Sequence, residues 1–150
     1  MAIASCLVDT TILLRMTRRA DPQHQLVDAA LAQLAGQGTI LHYTHQNIAE
    51  LWNAMTRPLN RNGLGLTVAD AEREVRAIEA GMNFLPDSEA VYREWRRIVF
   101  QYGVLGVQVH DARLAAAMYV HRVSHIHILT LNVTDFGRFS GLVTVHPNSL

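Results

Sequence analysis

Lysine is absent from this sequence. All 13 basic residues are arginine, which excludes a Walker-type phosphate loop, Schiff-base chemistry and Ser-Lys hydrolysis, since each needs a primary amine. Cysteine occurs once, at Cys6, so there is no internal disulfide, no Cys-based zinc site and no iron–sulfur cluster. Cys6 lies in a strongly apolar run and reads as a buried core thiol, and the lack of disulfides fits a reducing cytosol. Excess charge of one sign is missing too: 13 Arg balance 13 acidic residues, for a formal net charge of zero. No global basic field exists to grip nucleic acid, so any such binding must come from a local patch. Long hydrophobic runs are also absent. The opening run from Ile3 stops at Asp9, shorter than the core of a signal peptide and far short of the ~20 residues of a membrane span. The expectation is a soluble, cytoplasmic protein with no membrane contact.

What is present is apolar material: 49% of 150 residues are hydrophobic and only 17% charged, enough for a real core and for one domain over residues 1–150. Ile3 to Val8 reads as a strand buried on both faces of a parallel sheet. Ile12 to Met16 looks like a helical turn, and Pro22 opens a helix over 23–35 closed by Gly36. Thr39 to Tyr43 is a second strand; Thr44 caps a helix running to Thr56. The Pro-, Asn- and Gly-rich stretch 57–66 is a loop, and Thr67 starts a helix that Gly81 stops. Met82 to Leu85 is a short strand, Asp87 or Ser88 caps a helix ending near Gly103, and 108–122 is another helix. Strands at 126–130 and 142–145 complete the chain. The alternation argues for an α/β fold with a central, mainly parallel sheet of about four to five strands flanked by helices. The two consecutive helices near the middle form a hairpin beside the sheet.

Four places could carry chemistry. Asp9 follows an apolar strand, at the carboxyl end where open parallel sheets bind ligands; an Asp there also serves as an N-cap. Glu50 lies nearly opposite the stripe of Ile48, Leu51, Trp52 and Met55, together with Asn47, Asn53 and Arg57, which describes either a solvated face or a polar face turned to a cleft. Asp111 heads the apolar face of Leu114, Ala115 and Met118, where a carboxylate is expensive without the helix N-terminus or a bound cation to compensate it. Asn132 and Asp135 follow the strand that ends at Thr130, where Asp135 doubles as a cap for Phe136 to Phe139. If these groups converge, they make an oxygen-rich pocket without a thiol, suited to Mg²⁺ or Mn²⁺ and to metal-assisted phosphodiester hydrolysis.

Leu7-Val8-Asp9-Thr10-Thr11 resembles the opening motif of PIN domains. Asn47-Ile48-Ala49-Glu50-Leu51-Trp52-Asn53 with Thr56-Arg57-Pro58 is similar to the family's internal Glu helix. His110-Asp111-Ala112-Arg113-Leu114 is similar to its second Asp motif, and Ile128 to Phe136 resembles its closing motif. Order and spacing match over essentially the whole chain, and the size is most like that of VapC-type toxins. The resemblance implies a single PIN-like domain and a Mg²⁺- or Mn²⁺-dependent endoribonuclease, the toxin of a type II toxin–antitoxin pair. Asp9, Glu50 and Asp111 match the core acidic residues, and Thr11 the small polar residue beside the first. One position departs: many members carry Asp where this chain has Asn132, so Asp135 either supplies the missing carboxylate or supports the loop. RNA is the implied substrate, a cognate antitoxin and a second copy of the chain the implied partners. Two other classes stay open: a catalytically impaired PIN-like protein that binds RNA or a partner, and a metal-dependent phosphatase-like hydrolase.

Substrate grip is expected from Arg15, Arg57 and Arg61, with Arg18 and Arg19, flanking the cleft and pairing with phosphates. Arg93, Arg96 and Arg97 are expected to face solvent or a partner chain. His121, His125 and His127 cross from a helix end into a strand, so their rings need not converge on zinc. Tyr92, Trp95, Val99 and Tyr102 recur near helical spacing, which core or dimer packing explains better than base stacking.

Overall fold

The computed structural model describes residues 2–123 and 126–150. Five parallel strands form one sheet: β1 (Ser5–Val8), β2 (Ile40–Thr44), β3 (Asn83–Leu85), β4 (His127–Leu129) and β5 (Val143–Val145), in the order β3-β2-β1-β4-β5. The helices are α1 (Thr10–Thr17), α2 (His24–Gly36), α3 (His45–Thr56), α4 (Val68–Gly81), α5 (Glu89–Gln101), α6 (Gln108–His121) and α7 (Val133–Gly137). Every strand-to-strand connection passes through at least one helix, as parallel pairing requires. The α/β reading of the sequence holds, with the sheet wholly parallel.

The period of two along the strands divides the core. Cys6 and Val8 on β1, Tyr43 on β2 and Leu129 on β4 point into one apolar layer with Ile12, Leu13, Leu51, Met55 and Ile78 from α1, α3 and α4. Leu7 and Ile128 point to the other face, against Ile98, Leu114, Met118 and Phe136 from α5, α6 and α7. Burial pushes the Cys6 thiol up to about 12, so it stays protonated and inert.

Local chemistry sets most boundaries. Thr44 caps α3 in a reciprocal box with Asn47, Thr67 caps α4 and Ser88 caps α5. The first strand starts at Ser5 rather than Ile3, and the turn expected at Ile12 to Met16 is a two-turn helix that begins directly after Asp9. Strict alternation is broken three times, since helix pairs α1–α2, α3–α4 and α5–α6 each stand between consecutive strands, and the α5–α6 pair packs on the opposite side of the sheet from α3 and α4. Asp135 does not cap a segment at Phe136 to Phe139: α7 begins at Val133, Asn132 holds the cap position without a side-chain bond, and Asp135 falls in the first turn.

The topology fixes where a site can form. From the central β1 the chain moves outward through β2 and β3, then returns to the other side of β1 for β4 and β5. The crevice at the carboxyl ends of β1 and β4 is therefore a topological switch point.

Candidate active site

Asp9 stands at that switch point. Its N–H donates to the Leu129 carbonyl at 3.0 Å, which ties the end of β1 to β4, and its side chain is 4% exposed. Oδ1 accepts from the Thr10 N–H at 2.8 Å; Oδ2 accepts from Thr11 Oγ1 at 2.7 Å and from Thr130 Oγ1 at 2.8 Å. The cap and site readings of Asp9 are thus compatible, because one carboxylate starts α1 and faces the crevice. Burial raises its pKa above the usual carboxylate range and the charge of Glu50 adds to this, against the opposing pull of the Thr11, Thr130 and Thr10 donors.

Glu50 lies in the second turn of α3, which begins where β2 ends. Thr10 Oγ1 donates to its Oε2 at 2.8 Å, and Gln46 Nε2 donates to its Oε1 at 2.7 Å. Gln46 Nε2 also reaches the His110 carbonyl at 2.8 Å, which couples Glu50 to the start of α6. Thr10 is held in turn by Asn47, whose Nδ2 donates to Thr10 Oγ1 at 3.0 Å. Asn47 is fully buried, so the polar face shared by Asn47 and Glu50, open to solvent or a cleft on the pattern alone, divides: Gln46 and Asn47 are enclosed and Glu50, further along, is half-buried. Gln46, Asn47 and Thr10 hold Glu50 and Asp9 in place, and the sequence pattern did not mark them as site candidates. The Thr44-to-Asn47 capping spacing was the available signal for Asn47.

Asn47 supports a direct test. Its Oδ1 accepts from Thr44 N–H at 2.9 Å and Thr44 Oγ1 at 3.0 Å, and its amide holds Thr10. Asn47→Ala keeps the Thr44 cap, whose Oγ1 accepts from the residue-47 backbone N–H, but removes the reciprocal half of the box and leaves the buried Thr44 N–H and Thr10 hydroxyl short of a partner, for a loss of about 2–3 kcal/mol. A denaturant midpoint shift at unchanged m-value is the expected result; a shift within experimental scatter contradicts the network.

Asp111 projects from the first turn of α6, half-buried, and no hydrogen-bond donor reaches its carboxylate among the described residues. Its pKa is pushed up to about 6, first by burial and then by the charges of Asp9, Asp135 and Glu50. Asp111 thus feels the charges of Asp9, Asp135 and Glu50. Asn132 and Asp135 are exposed at the rim of the crevice, with the Asn132 N–H donating to Thr130 Oγ1 at 2.9 Å. Thr11 bridges β1 to this loop, accepting from the Leu131 N–H at 3.3 Å.

The donors here are oxygens, the type a hard divalent cation takes. Among the described residues no Arg pairs with Asp9, Glu50, Asp111 or Asp135, so the mutual repulsion has no protein counter-charge. Gln46 Oε1 is buried without a donor beside Glu50, a further oxygen lacking a partner. No three acidic, His or Cys side chains among the described residues close on a common point. An ion that keeps much of its water, as Mg²⁺ does, needs only few protein carboxylates. Asp111 and Asp9 would hold it, with Glu50 beside them.

The arginines are placed otherwise than expected. Arg15, Arg18 and Arg57 do not line the hollow beside Glu50; they gather with Asp21 and Asn62 around a polar hollow of about 310 Å³ at the far ends of α1 and α3. Both helices run away from the strand ends, so Arg15 is about 9 Å along α1 from Asp9. The buried Nε atoms of Arg15 and Arg57 have no hydrogen-bond acceptor, although Arg57 Nη2 donates to the Asn62 carbonyl at 3.0 Å. Arg61 is exposed on the 3-10 turn Leu59–Arg61. Arg93 and Arg97 pair with Glu89 and Glu94 on their own helix, on the exposed side as expected. His121 bonds the Pro86 carbonyl at 2.8 Å, His127 lies on β4, and His125 is outside the described residues.

The PIN domain family model matches residues 6–133. Among solved structures, VapBC2 of Rickettsia felis, bound to a DNA fragment from its promoter, superposes with a TM-score of 0.69 at 13% identity, over 95% of this chain and 98% of that one. VapC20 of Mycobacterium tuberculosis, a sarcin-ricin loop cleaving toxin, also gives 0.69 at 13% identity, over 93% and 98%. A toxin–antitoxin complex from Klebsiella pneumoniae gives 0.64 at 18% identity, over 95% and 97%. At these identities the likeness is one of fold. No curated protein sequence matches the chain.

Proposed function

The chain belongs to the PIN domain family, and on that premise we propose that it is a Mg²⁺- or Mn²⁺-dependent endoribonuclease, the toxin of a toxin–antitoxin pair acting in the cytoplasm. The observation that carries the reading is the hydrogen-bonded chain at the switch point: Thr10 joins Asp9 to Glu50, and Gln46 joins Glu50 to the His110 carbonyl, next in sequence to Asp111. The toxin assignment draws its support from the toxin–antitoxin proteins whose fold and length this chain shares. An antitoxin and a second copy of the chain are the partners the reading calls for.

A bound divalent ion supplies counter-charge to the phosphate and lowers the pKa of water. The protein supplies position. Asp9 is locked by three donors and no donor among the described residues reaches Asp111, so Asp111 has the more available lone pairs. Glu50, fixed at one oxygen by Thr10 and at the other by Gln46, is oriented to align the attacking water and accept its proton. In-line attack forms the bond from water oxygen to phosphorus and breaks the bond from phosphorus to O3′, leaving a 3′-hydroxyl and a 5′-phosphate. Asn132 contributes a carbonyl oxygen at the rim without charge, and Asp135 a carboxylate.

The test is titration of Mg²⁺ or Mn²⁺ against cleavage of structured and unstructured RNA, with Asp9→Asn as the control. Cleavage is expected to depend on the ion and to fall by about 100-fold or more in the variant, whose unfolding transition persists. Equal cleavage by both proteins refutes the site; ion-dependent RNA binding without cleavage identifies the catalytically impaired alternative.

A further inference from the structure

Two hollows lie side by side along the start of α6. The smaller is lined by Gln46, Ala49 and Glu50, with His110 and Arg113 on its far wall. The larger, about 530 Å³, passes the same His110 and Arg113 into the cleft between the N-terminal halves of α5 and α6, where Val91, Tyr92, Trp95 and Val109 line it. The hollow of Glu50 therefore neighbours an aromatic, mostly apolar cavity, with Arg113 on the shared boundary and Asp87 beside it.

We propose that this cavity holds one unpaired base of the RNA, while Arg113 pairs with a phosphate between that base and the scissile bond. The inference rests on the reading of the substrate as RNA and adds how a nucleotide is selected.

Size, surface and charge point the same way. A volume of about 530 Å³ is within the range of small-molecule sites and accommodates a base with its ribose. Trp95 Nε1 donates to the Val109 carbonyl at 2.9 Å, so the indole is fixed before any ligand arrives. Tyr92 lies 6.3 Å from it, ring centre to ring centre, at a tilt of 33°, and is 59% exposed, with no hydrogen bond to its hydroxyl from the described residues. An exposed aromatic beside a fixed one is a surface onto which a base stacks whatever its sequence identity. Arg113 is half-exposed and held by Asp87 Oδ2 at 2.6 Å, which leaves other N–H groups of the fork for a phosphate. The Arg15, Arg18 and Arg57 group is at the other end of the helices, so Arg113 is the arginine placed between cavity and carboxylates. Tyr102, by contrast, packs edge-on against Phe139, which separates it from Tyr92 and Trp95 in role.

The experiment uses ten-nucleotide RNAs, each with a single abasic residue at a different position, bound in Mg²⁺ to the full chain carrying Asp9→Asn. Binding is expected to weaken about tenfold or more at one position and little elsewhere. Adding Tyr92→Ala should flatten that profile, and Tyr92→Phe should restore it; the exposure of Tyr92 keeps the cost to folding small. Arg113→Gln should weaken binding of every member equally. A flat profile in the parent overturns the proposal, as does a profile unchanged by Tyr92→Ala. A Tyr92→Ala protein that keeps its profile but passes from dimer to monomer in sedimentation also overturns it, assigning the cavity to a second copy. The binding readout needs no turnover: a wild-type protein that shows the profile but never cuts RNA keeps the pocket and loses the nuclease, and one that cuts with a flat profile does the reverse.

Discussion

Asp111→Asn is expected to abolish cleavage and, at pH 7.5 without divalent ions, to make the protein more stable. The carboxylate has no hydrogen-bond donor among the described residues, and its pKa of about 6 stands well above the usual 3.8. A native pKa raised above the unfolded value gives stability that is complete below the unfolded pKa and is lost as pH rises through the native one. At pH 7.5 the ionised group is therefore a net cost of folding. The two-unit displacement corresponds to about 3 kcal/mol, which partial solvation reduces to about 1–2 kcal/mol. Asparagine keeps the shape and removes the charge, so the melting temperature should rise by about 3–6 °C. Most of the gain should vanish by pH 4, where the native aspartate is already protonated. Cleavage should fall by about two orders of magnitude or more. A variant less stable than wild type at pH 7.5 would mean that the carboxylate makes a structural bond, and would remove Asp111 from the site.

The opposed effects on activity and stability explain which parts of the site could be read from residues alone. Asp9 follows an apolar run, and parallel strands place such residues at one edge, so its position followed from pattern. Asp111 was conspicuous because a carboxylate heading an apolar helix face conflicts with burial, and that conflict is the source of its raised pKa. Asn47 was less legible. A helical wheel assigns it to the face of Glu50, but the start of α3 is buried against α1, so a polar side chain there is enclosed and fully bonded. The arginines illustrate a related point: Arg15 and Arg57 are near Asp9 and Glu50 in sequence, whereas α1 and α3 carry them away from the strand ends to a separate hollow. Arg113, two residues from Asp111 but turned toward α5, borders the hollow beside Glu50 instead. Tyr92 and Trp95 share a helix face with Tyr102, and only the packing of α6 shows that the row divides between a cavity wall and the core.

Divalent ions should stabilise the protein strongly at pH 7.5 and weakly at pH 5. Asp9 and Asp111 both have pKa values raised by burial, so in the absence of an ion stability should decline as pH climbs from about 4 through 6 and beyond. An ion that binds the ionised cluster offsets this loss, and protons compete with it below pH 6. At an ion concentration a hundred times the dissociation constant the gain is about 2.7 kcal/mol, a rise of about 5–10 °C for a chain of this length. Sodium chloride at the same ionic strength should give a much smaller rise, since screening acts on the cluster without entering it. Asp9→Asn should lose most of the response, and chelation with EDTA should reverse it in wild type. Equal shifts at both pH values, or equal shifts with sodium, would place the ion elsewhere on the protein. The comparison reads the cluster through folding alone, so it holds whether or not the right RNA has been found.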